Sequence, residues 1–127
     1  MSIYTMKSDM ILEKDGSRIL NISEFSFEGT YYKPSEPVKF LITEEPEGWM
    51  FIRDDSIGIR SGGDDLEEAI MKGLFVISDR YHKIISTPDE KLNEDMICIK
   101  KKFLSWEVHA IDQQVLLTHF FNHQSSQ

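Results

Sequence analysis

Apolar residues recur at every second position through much of the first half of the chain and at every third or fourth position after Gly63. This pattern predicts strands followed by helices. Met10-Ile-Leu-Glu, a turn signal at Lys14-Asp-Gly16 and Arg18-Ile-Leu-Asn-Ile22 read as a hairpin. Phe25 and Phe27 then alternate against Ser26 and Glu28 in a further strand or irregular edge. Val38, Phe40 and Ile42 stand at period two before a Glu44-Glu-Pro-Glu-Gly48 turn. Trp49-Met-Phe-Ile-Arg53, a short Asp54-Asp-Ser56 turn and Ile57-Gly-Ile-Arg60 complete a three-strand meander.

The period then changes. Gly62-Gly63 allows a turn, Asp64 or Asp65 supplies an N-cap acceptor, and Glu67 and Glu68 occupy a first helical turn. Leu66, Ile70, Leu74, Ile77 and Tyr81 form one stripe, so a helix is expected over about 65–81. Gly73 inside it costs roughly 1 kcal/mol relative to Ala, which suggests close packing on the sheet. Phe75 and Val76 fall off the stripe, toward the first hairpin or a partner. Thr87-Pro88-Asp89-Glu90 combines a capping-box pair with proline at the first helical position. With Leu92, Met96, Ile99, Phe103 and Trp106 on one stripe, it predicts a second helix over about 88–107; a strand through Met96 to Ile99 is the alternative. Residues 108–121 read as either helix or strand, and a polar tail starts at about Asn122. The expected fold is a single α+β domain over 1–127: an antiparallel sheet of four to six strands, with two helices (about 65–81 and 88–107) packed on one face.

Composition supports one core. With 127 residues, 40% hydrophobic and 28% charged, the chain is neither disordered nor fibrous, and one domain of this length buries about two-thirds of its unfolded surface. No apolar stretch approaches a membrane span, the first residues lack a signal-peptide pattern, and Cys98 is the single cysteine. A cytoplasmic protein without membrane association is expected.

Charge adds a candidate surface. The net charge is −8, and nine carboxylates against Arg53 and Arg60 give the segment from Glu44 to Glu68 a local balance of −7. Turns and helix N-termini collect carboxylates as a solvated surface; alternatively, the segment is an acidic face for a basic partner. On the second reading Glu44, Glu45, Glu47, Asp54 and Asp55 are the partner-binding residues. A nucleic-acid partner is not expected, because phosphate neutralisation needs clustered cations.

Catalytic chemistry has little to stand on. Gly62-Gly-Asp-Asp65 is similar to the GGDEF signature of diguanylate cyclases, with Leu66 in place of the aromatic, and reads on its own residues as a turn and a cap. No phosphate-cradling glycine motif occurs. His119 and His123 stand four apart, but a metal site needs further ligands, and neither Cys98 nor His82 has ligand spacing. Cys98 beside the second helix stripe reads as a small buried or half-buried hydrophobe. Lys100-Lys-Lys102 next to Phe103 and Trp106 reads as a solvated face over a core stripe. No cofactor and no metal are expected, and whether a carboxylate pair does acid/base chemistry stays open.

Val38 to Tyr81 resembles the N-terminal domain of HicB-like antitoxins. The match rests on Ser61-Gly-Gly-Asp-Asp-Leu-Glu-Glu-Ala-Ile70, placed after the meander with Gly48 and Trp49, and covers about a third of the chain. The resemblance implies a partial RNase H-like sheet without nuclease activity that binds a small basic ribonuclease toxin. In that family a separate C-terminal domain binds operator DNA. Here an N-terminal hairpin is added, and the segment after Tyr81 looks like a packing helix, so DNA binding is not expected. The leading expectation is a non-catalytic HicB-like module presenting acidic turns to a basic protein. The alternatives are a self-associating protein that dimerises through a sheet edge or the 108–121 segment, and a small enzyme using a carboxylate cluster.

Overall fold

Alternating and aromatic residues from Arg18 to Phe27 form one long strand, and the sheet is organised around it. The computed structural model describes residues 4–111. Its strands are β1 (Tyr4–Leu12), β2 (Arg18–Phe27), β3 (Thr30–Lys33), β4 (Val38–Glu44), β5 (Met50–Asp54), β6 (Ile59–Gly63) and β7 (Glu107–Ala110). The helices are α1 (Leu66–Ile85) and α2 (Glu94–Leu104). The architecture is the expected α+β arrangement with an antiparallel sheet, but among the described residues it carries seven strands rather than four to six, because short β3 and β7 add to it.

β1 pairs along all of β2, with Tyr4 opposite Phe27 and Leu12 opposite Arg18. The other edge of β2 is shared: residues 18–22 pair with β4, and residues 25–27 with β3. β5 and β6 extend the sheet beyond β4, and β7 extends it beyond β3. Two irregularities let it curl. Pro34 and Pro37, which lack an N–H, lie between β3 and β4. Ser23 is an extra residue in β2 opposite the Lys7/Ser8 step, and its hydroxyl donates to the Lys7 carbonyl at 3.1 Å.

α1 fills the curl. Leu20, Ile22, Phe40, Ile52 and Ile59 from the strands form one core with Ile70, Leu74 and Ile77, while Leu66 is half-buried. The Asp65 carboxylate accepts from Glu68 N at 2.8 Å, as a cap should. The helix runs on past Tyr81 because Ile84 continues the buried stripe. Gly73 is a contact point: a Cβ there would collide with Ile52 Cδ1 and lie 3.1 Å from the Phe40 ring. Gly62 and Gly63 belong to β6, not to a turn. Their missing side chains admit the Trp49 indole, whose nitrogen would be 2.7 Å from a Cβ at Gly62, and the start of α1 at Ala69, 2.8 Å from one at Gly63. Phe75 packs edge-on against Phe27, with ring centroids 5.9 Å apart.

The second helix is shorter than expected and starts with a different cap. Asp89–Lys91 is a single 3-10 turn, Leu92 is extended, and Asn93 caps α2 by accepting from Met96 N at 2.9 Å. Thr87 instead donates its hydroxyl to the Lys83 carbonyl at 2.6 Å, closing the end of α1. The cap competition is decided by packing, because Leu92 and Trp106 reach the core from outside the helix that carries Ile99 and Phe103. Residues 96–99 are helical, which removes the strand alternative there. Glu107, expected at the end of the helix, opens strand β7, which takes in 108–110 of the open segment, and Ile111 N donates to the Gly29 carbonyl at 2.7 Å. The rest of that segment, the polar tail, His119 and His123 lie outside the described residues. Among the described residues, no helix is long and apolar enough to cross a membrane.

Candidate functional site

β5 joins the two acidic turns singled out by the sequence, and the fold treats them differently. In the turn before β5, Glu45 N donates to the Trp49 carbonyl at 2.8 Å and Gly48 N to the Glu45 carbonyl at 2.9 Å. Gly48 adopts φ +92°, a left-handed conformation that glycine adopts without a Cβ penalty. The backbone alone therefore closes this turn and leaves its carboxylates outside. Glu44 and Glu47 are exposed and Glu45 is half-buried. Among the described residues, none of the three forms an ion pair. Met50 lies opposite both Glu44 and Gly63, so the same end of the sheet also carries Asp64, Asp65 and Glu67. Of these, Asp65 is occupied as the cap of α1, and nearby Glu68 binds Lys72 at 3.0 Å.

The turn after β5 uses its acids internally. Asp54 is buried and accepts from Lys39 N at 3.2 Å, Ser56 N at 2.9 Å and Ser56 Oγ at 2.6 Å. It ties the β5–β6 turn to β4, which removes it from any surface offered to a partner. Asp55 is exposed but sits 3.7 Å from Arg53 and 4.0 Å from Arg60. Five residues of strand at about 3.3 Å each separate the two turns by roughly 16 Å. The five sequence-predicted residues are therefore brought together only as Glu44, Glu45 and Glu47.

The sheet face away from the helices holds a groove of about 280 Å³ lined by Leu41, Thr43, Glu45, Phe51, Arg53 and Arg60. Phe51 is 43% exposed there and meets Trp49 edge-on. The alternation of Trp49, Phe51 and Arg53 against buried Met50 and Ile52 is the signal that marks this face, and the sequence reading assigned it no role. A second cluster also went unassigned. The buried Tyr32 hydroxyl lies 2.6 Å from Ser78 Oγ and 3.1 Å from His82 Nε2, and burial pushes its phenol up. These bonds satisfy a buried phenol, which is the role they need to play in a core. On the outer face Tyr31 donates to Glu24, and that bond pushes its pKa up to about 12.

Two further expectations change. Cys98 is exposed, because α2 turns Ile99 and Phe103 inward and Cys98 falls off that stripe. Lys100 is not part of a solvated face: its ammonium donates to the Thr87 carbonyl at 2.8 Å and to Asp89 at 2.7 Å, bracing the link between the helices. Lys101 and Lys102 are exposed. Among the described residues, no group of three or more His, Cys, Asp or Glu side chains is placed to hold a metal. The chain matches no family model, no curated protein and no solved structure.

Proposed function

We propose that the protein is a non-catalytic, HicB-like binding module of the cytoplasm, whose acidic sheet end receives a basic protein, a toxin in the manner of that family. The observation that carries the reading is the turn at Glu44, Glu45 and Glu47. Its carboxylates lie at the same end of the sheet as Asp64 and Glu67 and have no ion-pair partner among the described residues. Like charges held side by side raise the local potential, and a cationic surface relieves it. The binding set is narrower than the sequence suggested. Asp54 serves the fold, and Asp55 is shared with two arginines.

The test uses Glu44→Lys, at the exposed end of β4, combined with Glu47→Lys, in the exposed turn, two surface substitutions that leave the melt unchanged. Wild-type protein used as bait in a lysate of its native cell retains a basic protein. Its association rate falls as salt shortens the Debye length below about 10 Å. The doubly substituted protein loses that partner or associates at least about tenfold more slowly at low salt. Retention of every wild-type partner at unchanged rates defeats the reading and leaves the acidic end as solvated surface.

A further inference from the structure

We propose that β1 is a homodimerisation edge, two copies pairing β1 against β1 antiparallel about a two-fold axis through Ser8. This pairing does not depend on the acidic end. β1 pairs only with β2, so among the described residues its outer edge presents unpaired N–H and C=O groups along nine residues. Long open edges invite strand addition unless they are covered or charged. This one ends in Met10, Ile11 and Leu12, which are 46%, 41% and 72% exposed.

The register is set by which side chains share a face. Tyr4 and Met6 pack against the core, and Met10 lies opposite buried Leu20. Tyr4, Met6, Ser8, Met10 and Leu12 therefore point to the helix side, and Thr5, Lys7, Asp9 and Ile11 point to the other. A two-fold pairing that keeps like faces together is centred on a residue, and only the centre at Ser8 overlaps all nine residues. It sets Met6 against the partner's Met10 and Tyr4 against the partner's Leu12, covering the exposed apolar end of each strand. On the other face it sets Lys7 against the partner's Asp9, twice per dimer.

The neighbouring registers carry a penalty. Moving the centre by one residue places Lys7 against Lys7 or Asp9 against Asp9, and like charges directly opposite are destabilising. A slip that mixes faces sends Met10 and Leu12 to the polar side. Lys7 is free to turn toward a partner: its side chain is 78% exposed and its contact with Glu24 is 4.0 Å long. Asp9 has no ion pair among the described residues. The strand is thus self-complementary in one register, as a closed two-fold interface requires.

Sedimentation equilibrium on the full chain tests it. The wild type is a dimer, Lys7→Asp or Asp9→Lys alone weakens it by about tenfold at low salt, and the two together restore it to within about threefold. For register, Ser8→Cys in a Cys98→Ser background cross-links on mild oxidation, since opposed Cβ atoms in an antiparallel ladder lie about 4.5–5.5 Å apart. Lys7→Cys in the same background does not. A wild type that stays monomeric into the submillimolar range overturns the proposal, and so does a dimer indifferent to the charge substitutions. Equal cross-linking at Lys7→Cys and Ser8→Cys overturns the register.

Discussion

Glu44, Glu45 and Glu47 precede β5, and Asp54 and Asp55 come at its end; the two turns differ little in charge. In the first, main-chain bonds from Glu45 N and Gly48 N close the turn and the carboxylates remain outside. In the second, long main-chain bonds from Ile57 N to the Asp54 carbonyl and from Gly58 N to the Asp55 carbonyl, both 3.4 Å, are reinforced by the Asp54 carboxylate, which accepts from Ser56 and reaches across to Lys39 N on β4. A carboxylate that a turn needs for closure is lost to recognition. One that the backbone can spare is available for it.

The comparison breaks most sharply under the same substitution at both turns. Asp54→Lys puts an uncompensated cation where three hydrogen bonds converged and should cost at least about 3 kcal/mol in urea unfolding. Glu47→Lys should stay within about 0.5 kcal/mol. If the two cost the same, the distinction between a structural and a spare carboxylate fails. A second pair sharpens it with a smaller effect. Asp65→Ala removes the bond to Glu68 N and should cost about 1 kcal/mol, whereas adjacent Asp64→Ala should cost almost nothing in the same experiment.

The smallest effect is read by titration. Glu24 holds the neutral Tyr31 phenol by a hydrogen bond, raising its pKa to about 12. The folded value lies above the ordinary one. The bond's contribution is therefore complete below about pH 10 and is lost as the pH rises through about 12. In Glu24→Gln one tyrosine should ionise earlier in an ultraviolet titration of the phenolates. An unchanged curve would show that the carboxylate does not hold Tyr31.

The helix over Leu66 to Tyr81 was legible because its cap, first-turn acids and stripe agree with one another, and its core contacts extend rather than replace them. β3 was not: four residues, Thr30–Lys33, are too few to show a period, and they are held by partners on both sides. The Thr87 signal misled because a hydroxyl between two helices has two carbonyl and amide sets in reach, and only the three-dimensional approach selects one. The candidate site was half legible. Acids at Glu44 to Glu47 are visible as a turn, but burial of Asp54 depends on Lys39, which lies fifteen residues away in sequence.

Local chemistry along the chain thus determined the first hairpin, the strands of the meander, the first helix with its Asp65 cap, the stripe of the second helix and the surplus of carboxylates. These arise from periodicity and from bonds between near neighbours. Tertiary structure alone decided that β2 would serve three neighbours, that among the described residues β1 would be left with an open edge, and that Asp54 would be enclosed while Glu47 was not. The reason is physical: which backbone edge is paired and which carboxylate loses its water depend on groups distant in sequence, whose positions exist only after the sheet has curled around α1.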